Sequence, residues 1–394
     1  LIYIYSQPDI KKKIFSVLDK VIPQKSRKTG RPGMTLWEIF VLGVFRNGCN
    51  MDYDRIQNIA NNHILIRQLL GQSVENSWTT DFIYKLRTIK DNVSKLNEGI
   101  IKELNDIVVE SGHQLLSSKK REELHCSVDS FVVETDVHFP SDISLLYDSL
   151  SVALVTTADL CITHNKTYMR QSEHYIKDLK RKLRNAQQSK RGGKTELIKK
   201  HHEIYVNKAK KSIDRINTVI AQLEQSGQLG LLDSISITEI QKHIEYAIKH
   251  IDLIERRVFN DEKIPNSDKM FSVFEPHTRW ISKGKQSKLV ELGVPVCIIK
   301  DQHGFILNHI IMETTADVDI AVEILEGAQK KHTNIKSCSY DKGFWSLDNH
   351  AKVKELVDKP VMPKKGKVSK AQQKEYDDEE YIRLRHKHSS VEST

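Results

Sequence analysis

The chain has 394 residues, with 61 Lys+Arg against 52 Asp+Glu and a net charge of +9. At about 150 residues per domain this length predicts two or three domains, and the composition excludes a collagen-like or broadly disordered protein. Its five cysteines are scattered and contain no Cys-x-x-Cys pair, so neither a disulfide framework nor a zinc knuckle is indicated. The longest apolar run near the N-terminus, residues 39–45, is far shorter than the roughly 20 residues that cross a bilayer. We therefore expect a cytoplasmic protein with no membrane partner.

A helical N-terminal domain is predicted over residues 1–115. The basic turn 30–35 ends in a plausible helix N-cap, Thr35, and an apolar helical series follows it. After a turn at residues 48–50, a second helical run covers residues 53–60. Two short helices of this kind can form a helix-turn-helix that reads DNA, with Arg31 as a candidate contact, although helical hairpins are also common in proteins that bind no DNA.

Apolar, β-branched segments of strand length lie before and after the central region of the chain, residues 161–265. They are residues 124–133, 293–300, 305–312, 335–340 and 360–362, with helical patterns over 316–330 and 347–357 between the later ones. Asp301-Gln302-His303-Gly304 predicts a hairpin turn. The order predicts an α/β fold whose sheet mixes antiparallel hairpins with parallel crossovers. We place the two parts of this core at residues 116–160 and 266–394.

Between the two parts, residues 161–265 predict a basic helical insert. Three apolar series with alternating spacings of three and four residues, separated by glycine-containing breaks near 192 and 227, predict three coiled-coil-like helices with antiparallel neighbours. Residues 165–257 contain 20 Lys+Arg and 11 Asp+Glu, so the entire net charge of the chain lies there. Charged helix faces are often only solvated, but an excess of one sign favours a polyanion such as a phosphate backbone. The candidate DNA contacts are Lys180, Arg181, Lys182, Arg184, Lys190, Arg191, Lys210 and Lys211.

Three carboxylates outside the insert are candidate metal ligands. Asp129 lies inside the first apolar strand, where a lone charge costs several kcal/mol unless it is paired or metal-bound. Asp341 follows a strand directly, at the carboxyl end where open α/β sheets bind ligands, although an Asp that caps the next turn looks the same in sequence. Glu392 lies in a presumed helix start. Carboxylates that hold two divalent cations can activate a water or a 3′-hydroxyl for phosphoryl transfer, while Lys283, Lys285 and Lys342 hold the phosphate backbone or are ordinary surface lysines.

Taken together, the motifs and their order resemble the bacterial insertion-sequence transposases of the DDE type, most closely the group called ISNCY. The likeness extends from about residue 30 to the last residue. The segments that carry it are Gly30–Trp37, Met51–Asp54, Val128–Asp136, His138–Asp142, Phe271–Thr278, Lys283–Lys285, Asp301–Phe305, Asp341–Phe344 and Ser390–Ser393.

This resemblance implies an RNase H-like mixed-sheet catalytic core, interrupted by the helical coiled-coil-like insert and preceded by the all-α domain. It implies that Asp129, Asp341 and Glu392 are the catalytic and metal-binding triad, with two Mg²⁺ or Mn²⁺ ions. Glu134, Asp136 and Asp142 are nearby alternatives for the first ligand. The implied activity is cleavage at insertion-sequence ends and strand transfer to target DNA. The implied partners are double-stranded DNA and further copies of the chain, in the bacterial cytoplasm at the nucleoid.

The two ends of the chain predict a fragment, because it begins with Leu1 and ends two residues after Glu392. Members of the family continue past this glutamate. An alternative function is therefore a truncated, non-catalytic DNA-binding derivative that occupies element ends or pairs with full-length transposase. A general RNase H-like nuclease is a third hypothesis, but it leaves the N-terminal helical domain without a role.

Overall fold

The computed structural model describes residues 1–21, 33–72, 82–116, 122–190, 194–227, 229–285 and 288–388. The chain divides into two compact units. The first, which we call the sheet unit, consists of residues 1–130, 297–310 and 314–394. The second, the helical unit, consists of residues 131–296 and 311–313.

Seven helices precede the first strand of the sheet unit in its described part. They are α1 (Ile2–Ser6), α2 (Pro8–Leu18), α3 (Leu36–Gly48), α4 (Tyr53–Asn62), α5 (Ile64–Leu69), α6 (Leu86–Val93) and α7 (Glu98–Leu116). The predicted N-cap is confirmed: the Thr35 hydroxyl accepts a hydrogen bond from the Glu38 N–H at 3.2 Å, and the Glu38 carboxylate accepts one from the Thr35 N–H at 2.6 Å. The predicted turn after α3 is also present, with Asn50 at a φ of 46°.

Six strands form one mixed sheet in the described part of the chain. They are β1 (Leu124–Glu134), β2 (Arg279–Lys285), β3 (Lys288–Lys300), β4 (Ile306–Ile311), β5 (Ile335–Tyr340) and β6 (Lys359–Val361). The order is β2-β3-β1-β5-β6, and β4 also pairs with β3. The β1–β5 and β5–β6 pairs are parallel, whereas β2 and β3 are antiparallel. The predicted combination of hairpins and parallel crossovers is therefore confirmed.

The later helices of the sheet unit follow the predicted order. Helix α12 (Asp317–Gln329) lies between β4 and β5 in the sequence, and α13 (Leu347–Leu356) lies between β5 and β6. Two more helices, α14 (Lys370–Tyr376) and α15 (Glu379–His388), come after β6. The sequence predicted one helix start in this region, near Glu392, and did not predict strand β2.

Asp301 organises the predicted hairpin turn between β3 and β4. Its buried carboxylate accepts hydrogen bonds from the N–H groups of His303 and Phe305, both at 2.9 Å, and contacts Nε2 of His113 in α7 at 2.5 Å. Gly304 has a φ of 85°, which a residue with a Cβ adopts only under strain. The turn therefore depends on one buried carboxylate and one glycine.

Four long helices build the helical unit: α8 (Asp142–Thr163), α9 (Ser172–Ser189), α10 (Thr195–Gln225) and α11 (Leu231–Val258). The three predicted helices of the insert correspond to α9, α10 and α11. Helix α8 joins them in one hydrophobic core, although all but its last three residues had been assigned to the segment 116–160 of the sheet core. The sequence did not reveal this helix because its apolar residues are not confined to one stripe.

Helix α8 also passes a membrane-span test by length and composition, the one helix to do so in the described ranges. Its side chains Leu146, Leu150, Ala153 and Leu154 are fully buried within the protein core. This is weak evidence for a membrane span, because the core helix of a soluble protein passes the same test.

Acid is expected to destabilise the helical unit through His250. This side chain is fully buried in α11, and neither ring nitrogen has a hydrogen-bond partner among the described residues. Burial, and then the charge of Lys249, lower the pKa of His250 to about 4. In the unfolded chain His250 binds a proton below about pH 6.5, whereas in the folded chain it does so only near pH 4. The free energy of unfolding should therefore fall as the pH is lowered between these two values. At about 1.4 kcal/mol per pKa unit the loss is roughly 3 kcal/mol.

Chemical denaturation at a series of pH values tests this expectation. The variant His250→Phe removes the titrating group. Between pH 6.5 and pH 4 its free energy of unfolding should therefore decrease markedly less than that of the parent. Replacing the exposed His174 by Asn is the matched control and should leave the slope unchanged. An identical acid slope in the parent and in His250→Phe would contradict the assignment.

Candidate active site

One face of the parallel pair β1–β5 carries a ladder of polar side chains. His125 and Ser337 are register partners, and His125 Nδ1 lies 2.8 Å from the Ser337 hydroxyl. Two residues further along, Ser127 partners Ser339, which donates a hydrogen bond to the Ser127 hydroxyl at 2.9 Å. Because side chains on one face of a strand recur every second residue, the next position of this ladder is 129 on β1 and 341 just after β5.

Both positions are occupied by carboxylates, and we call Asp129 and Asp341 the carboxylate pair. The half-buried Asp129 accepts a hydrogen bond from the Ser130 N–H at 2.8 Å, which orients its carboxylate. Asp341 is exposed and has extended backbone angles (φ −77°, ψ 164°), so it continues the alternation of β5 by one residue. Like charges at neighbouring positions of adjacent strands repel each other, which makes this end of the ladder a place where a cation is stabilising.

The opposite face of the same two strands packs into the core. Cys126, Val128, Cys338 and Tyr340 are buried there, at the positions that alternate with the polar ladder. The pKa of the Cys338 thiol is raised to about 12, because the effect of burial is larger than the opposite effect of a hydrogen bond with Tyr340. The thiol is therefore neutral and acts as a small apolar side chain. All five cysteines of the chain are free, as expected from their scattered positions.

Helix α15 is attached to the polar ladder at its C-terminal end. Nδ1 of its last residue, His388, lies 3.0 Å from the hydroxyl of Ser339 on β5. The predicted third ligand, Glu392, follows four residues later in the sequence and lies outside the described residues. The sequence analysis had placed a helix start there, whereas α15 begins at Glu379.

Asp317 is a further carboxylate near the pair that the sequence analysis missed. It is the first residue of α12, and a Cβ added to Gly343 would lie 2.7 Å from its Oδ2 atom. Burial raises the pKa of the Cys297 thiol, and the charges of Asp317 and Asp129 raise it further. An Asp in the first turn of a helix is a common stabilising feature, so its sequence position gave no sign of a site.

The carboxylate pair suits a hard divalent cation with oxygen ligands. Magnesium is typically held by one or two carboxylates together with substrate phosphates and water. Within the described ranges, no group of three or more His, Cys, Asp or Glu side chains is arranged to hold a metal ion. The carboxylate pair could therefore supply part of the coordination shell of such an ion. Its other ligands would have to be water, substrate phosphates or residues outside the described ranges.

The cations predicted to bind DNA on the helical unit fall into two groups. Lys180, Arg184, Lys190 and Lys211 are exposed and form no ion pair with another described residue. Lys180 and Arg184 are four residues apart and therefore share one face of α9. They carry part of the excess positive charge on which the prediction of a DNA contact depends.

The second group consists of three predicted DNA contacts that form ion pairs within the helical unit. Asp178 lies 2.7 Å from Arg181, 3.7 Å from Lys182 and 3.0 Å from Lys208 of the neighbouring helix. Burial raises the pKa of Asp178, but hydrogen bonds from Lys208 and Arg181 outweigh it and hold the pKa below its usual range. Lys210 likewise pairs with Glu255 at 2.8 Å. The pairs of Asp178 with Arg181 and Lys182 lie within α9, whereas the pairs formed by Lys208 and Lys210 join two helices, so the sequence could not show those two.

The remaining predicted contacts are less completely described. Lys342 is exposed beside Asp341. Lys283 and Lys285 lie in β2, but their side chains are outside the described part of the structure. Arg31 and Arg191 also lie outside the described residues.

Reversing the unpaired charges should weaken DNA binding and reduce its salt dependence. In the triple variant Lys180→Glu, Arg184→Glu, Lys211→Glu, each lost phosphate contact should lower the slope of log affinity against log salt by about 0.9. The control Lys242→Glu, Lys249→Glu reverses exposed charges on α11 instead. Fluorescence anisotropy with a duplex over a salt series measures both slopes. A triple variant with the parent's slope would exclude these residues from the DNA contact.

No protein-family model, curated protein or solved structure matches this chain significantly.

Proposed function

We propose that the chain is a metal-dependent DNA transposase that cuts the ends of an insertion sequence and transfers them to target DNA. The observation that carries this proposal is the carboxylate pair, in which Asp129 and Asp341 occupy the next position of a polar ladder on two parallel strands. The motifs of the sequence that resemble DDE transposases name the same two residues. The pair therefore connects an arrangement of side chains with the chemistry that the resemblance implies.

The finer fold assignment, an RNase H-like catalytic core with a coiled-coil-like insert, belongs to the same proposal. Two features support it. Asp129 and Asp341 directly follow Val128 and Tyr340, the last register partners of the parallel strands β1 and β5, so they lie at the carboxyl end of this pairing, where open α/β sheets place ligand chemistry. The long helices α9, α10 and α11 interrupt the chain between β1 and β2, as an insert in such a core would.

In this mechanism Asp129 and Asp341 would hold a divalent cation at the scissile phosphate. The Ser130 N–H fixes the orientation of the Asp129 carboxylate, and the neighbouring hydrogen-bonded pairs keep β1 and β5 in register. Lys342 is placed beside Asp341 and binds a flanking phosphate. A bound Mg²⁺ or Mn²⁺ would activate a water or 3′-hydroxyl and stabilise the leaving oxygen.

Glu392 is proposed as the third ligand on the basis of the resemblance. His388 lies beside Ser339, two residues before Asp341 in the chain. Glu392 itself lies outside the described residues, so its role rests on the resemblance. Three carboxylates would provide the oxygen ligands that two divalent ions require.

Two assays on the chain test the proposal. The first mixes the protein with DNA that contains the genomic sequence flanking its reading frame, in Mg²⁺, Mn²⁺ or EDTA. Nicked ends with free 3′-hydroxyls and joined products should form only with a divalent ion. The second measures the midpoint of thermal unfolding with Mn²⁺ and no DNA. Mn²⁺ should raise this midpoint, because an ion that binds only the folded state stabilises that state.

The outcomes separate the proposal from its alternative. Products in EDTA, or a chain extended past Thr394 that makes no products in either metal, would contradict the catalytic assignment. Salt-sensitive binding to the flanking DNA without any cleavage by either chain would instead identify the non-catalytic DNA-binding derivative. Cleavage of any DNA without joining would favour a general nuclease.

A further inference from the structure

The helical unit contains a cavity that the proposed catalytic chemistry does not use. Its volume is about 250 Å³, and it lies between the start of α8, the end of α11 and the beginning of β2. Ligand pockets for drug-sized molecules begin at about 300 Å³. The cavity therefore suits one planar ring system better than a larger ligand, and we call it the aromatic cavity.

Three aromatic side chains form one wall of the aromatic cavity. The ring centroid of Trp280 lies 5.5 Å from that of Phe139 and 5.8 Å from that of Phe271. Phe139 is 70% exposed, which is unusual for a large apolar side chain that has an aromatic cluster beside it. Exposed aromatic faces of this kind are the surfaces on which unstacked nucleobases pack in proteins that bind single-stranded DNA.

The charged residues that line the aromatic cavity leave a positive balance. Nη1 of Arg257 pairs with Oδ2 of Asp142 at 2.6 Å, and this contact leaves the other guanidinium nitrogens without a partner among the described residues. Nζ of Lys269 donates a hydrogen bond to Oδ1 of Asn266 at 2.8 Å, which uses one of its three donors. One carboxylate and two cations therefore surround an apolar wall, an arrangement complementary to a base that carries a phosphate.

We propose that the aromatic cavity binds a single unstacked nucleobase of DNA, with Trp280 and Phe139 against its ring and Arg257 and Lys269 near its phosphate. This inference rests on the proposed function, because it requires a DNA substrate. To place a base in the cavity, a blunt DNA duplex must first break its terminal base pair, whereas an unpaired terminal nucleotide needs no such step. DNA with an unpaired terminal nucleotide should therefore bind more tightly than a blunt duplex.

The test compares two DNA probes with the full chain. One is a blunt duplex, and the other is the same duplex with one unpaired 2-aminopurine nucleotide at its end. The second probe should bind more tightly, and its fluorescence should be quenched by stacking. The variants Trp280→Ala and Phe139→Ala should lower the affinity for the second probe roughly 5- to 150-fold and leave the affinity for the blunt duplex unchanged.

Two further variants serve as controls. Trp280→Phe keeps an aromatic face and should retain most of the preference, whereas Phe274→Ala removes an aromatic residue that is 59% exposed and does not line the cavity, and should change nothing. Because Phe139 is largely exposed, Phe139→Ala should fold normally even if Trp280→Ala does not.

Equal binding of the two probes by the parent, without quenching, would overturn the cavity proposal while the DNA-binding function stands. An unchanged preference in a folded Phe139→Ala variant, or a loss of preference in Phe274→Ala as large as that in Phe139→Ala, would also overturn it. Failure of the parent to bind either probe would refute the proposed function, and this inference with it.

Discussion

Asp129→Asn and Asp341→Asn should each lower strand transfer by about 10³-fold or more and leave DNA binding intact. Each substitution replaces a charged oxygen ligand with a neutral amide of nearly the same shape. A divalent ion at a phosphoryl-transfer site stabilises the transition state by several kcal/mol, and each 1.4 kcal/mol is a factor of ten in rate. The loss should therefore appear in the chemical step, and rate constants from single-turnover assays measure it.

The same two variants also have a signature that does not depend on catalysis. Without divalent ions, Asp341→Asn removes the charge of an exposed side chain, so its thermal midpoint should stay equal to that of the parent. With Mn²⁺, the parent should be stabilised and the variants should not. A variant that unfolds at a lower temperature in EDTA would show that the carboxylate is structural.

Two carboxylates provide matched controls for this prediction. Asp136 is the exposed alternative for the first ligand, and Asp348 is an exposed residue of α13 that pairs with Lys352 at 2.8 Å. Asp136→Asn and Asp348→Asn should both retain strand transfer. If Asp136→Asn abolished it and Asp129→Asn did not, the first ligand would have to be reassigned to Asp136.

Gly293→Ala should destabilise the helical unit by about 3 kcal/mol or more, the largest effect on stability that we expect from a single methyl group. A Cβ at this position would lie 2.1 Å from the carbonyl oxygen of Val133 and 2.8 Å from its carbonyl carbon. These are backbone atoms, so no side chain can rotate away to relieve the clash. The contact can be relieved only if two chain segments move apart.

Neighbouring hydrogen bonds oppose that movement. The N–H of Thr135 donates to the carbonyl oxygen of Leu292 at 3.0 Å, and Gly293 itself is the register partner of Arg279 on β2. The methyl group would therefore break the pairing of β3 with the segment around Thr135, or strain its pairing with β2. Urea denaturation of the purified variant measures the loss directly.

Gly48→Ala is the matched control for Gly293→Ala. Gly48 is the last residue of α3, and a Cβ there would meet no atom within 4 Å. Because alanine favours the helix relative to glycine by as much as about 1 kcal/mol, this variant should be equally stable or slightly more stable. Equal stability of Gly293→Ala and the parent would mean that the strands separate without cost at this point.

The sequence was sufficient to predict most strands and the helices between them, because their patterns are local. The predicted strand 335–340 coincides with β5, and the first predicted strand ends one residue short of β1. Strand β2 was missed because it lies at the edge of the sheet and is mostly polar. Helix α8 was missed because it is apolar around most of its circumference, so it shows no helical stripe.

The candidate site was predicted only in part, for a different reason. Asp129 and Asp341 were identified from their places within and after strands, but nothing local in a sequence gives the register between strands 212 residues apart. The hydrogen-bonded pairs of the ladder and the approach of Asp317 to Gly343 depend on that register. The ion pair between Asp178 and Lys208 depends in the same way on how two helices align.

The division of the chain into units also bears on how the protein acquires its site during synthesis. Apart from residues 311–313, the helical unit is one continuous segment, residues 131–296, whereas the sheet unit consists of three separate pieces. Domains generally fold as units in the order in which the ribosome releases them, so we expect the helical segment to fold before β5 has been made. A folded segment between β1 and β5 replaces a long flexible loop, which reduces the entropy cost of pairing them. The carboxylate pair is therefore expected to assemble only after β5 has been made.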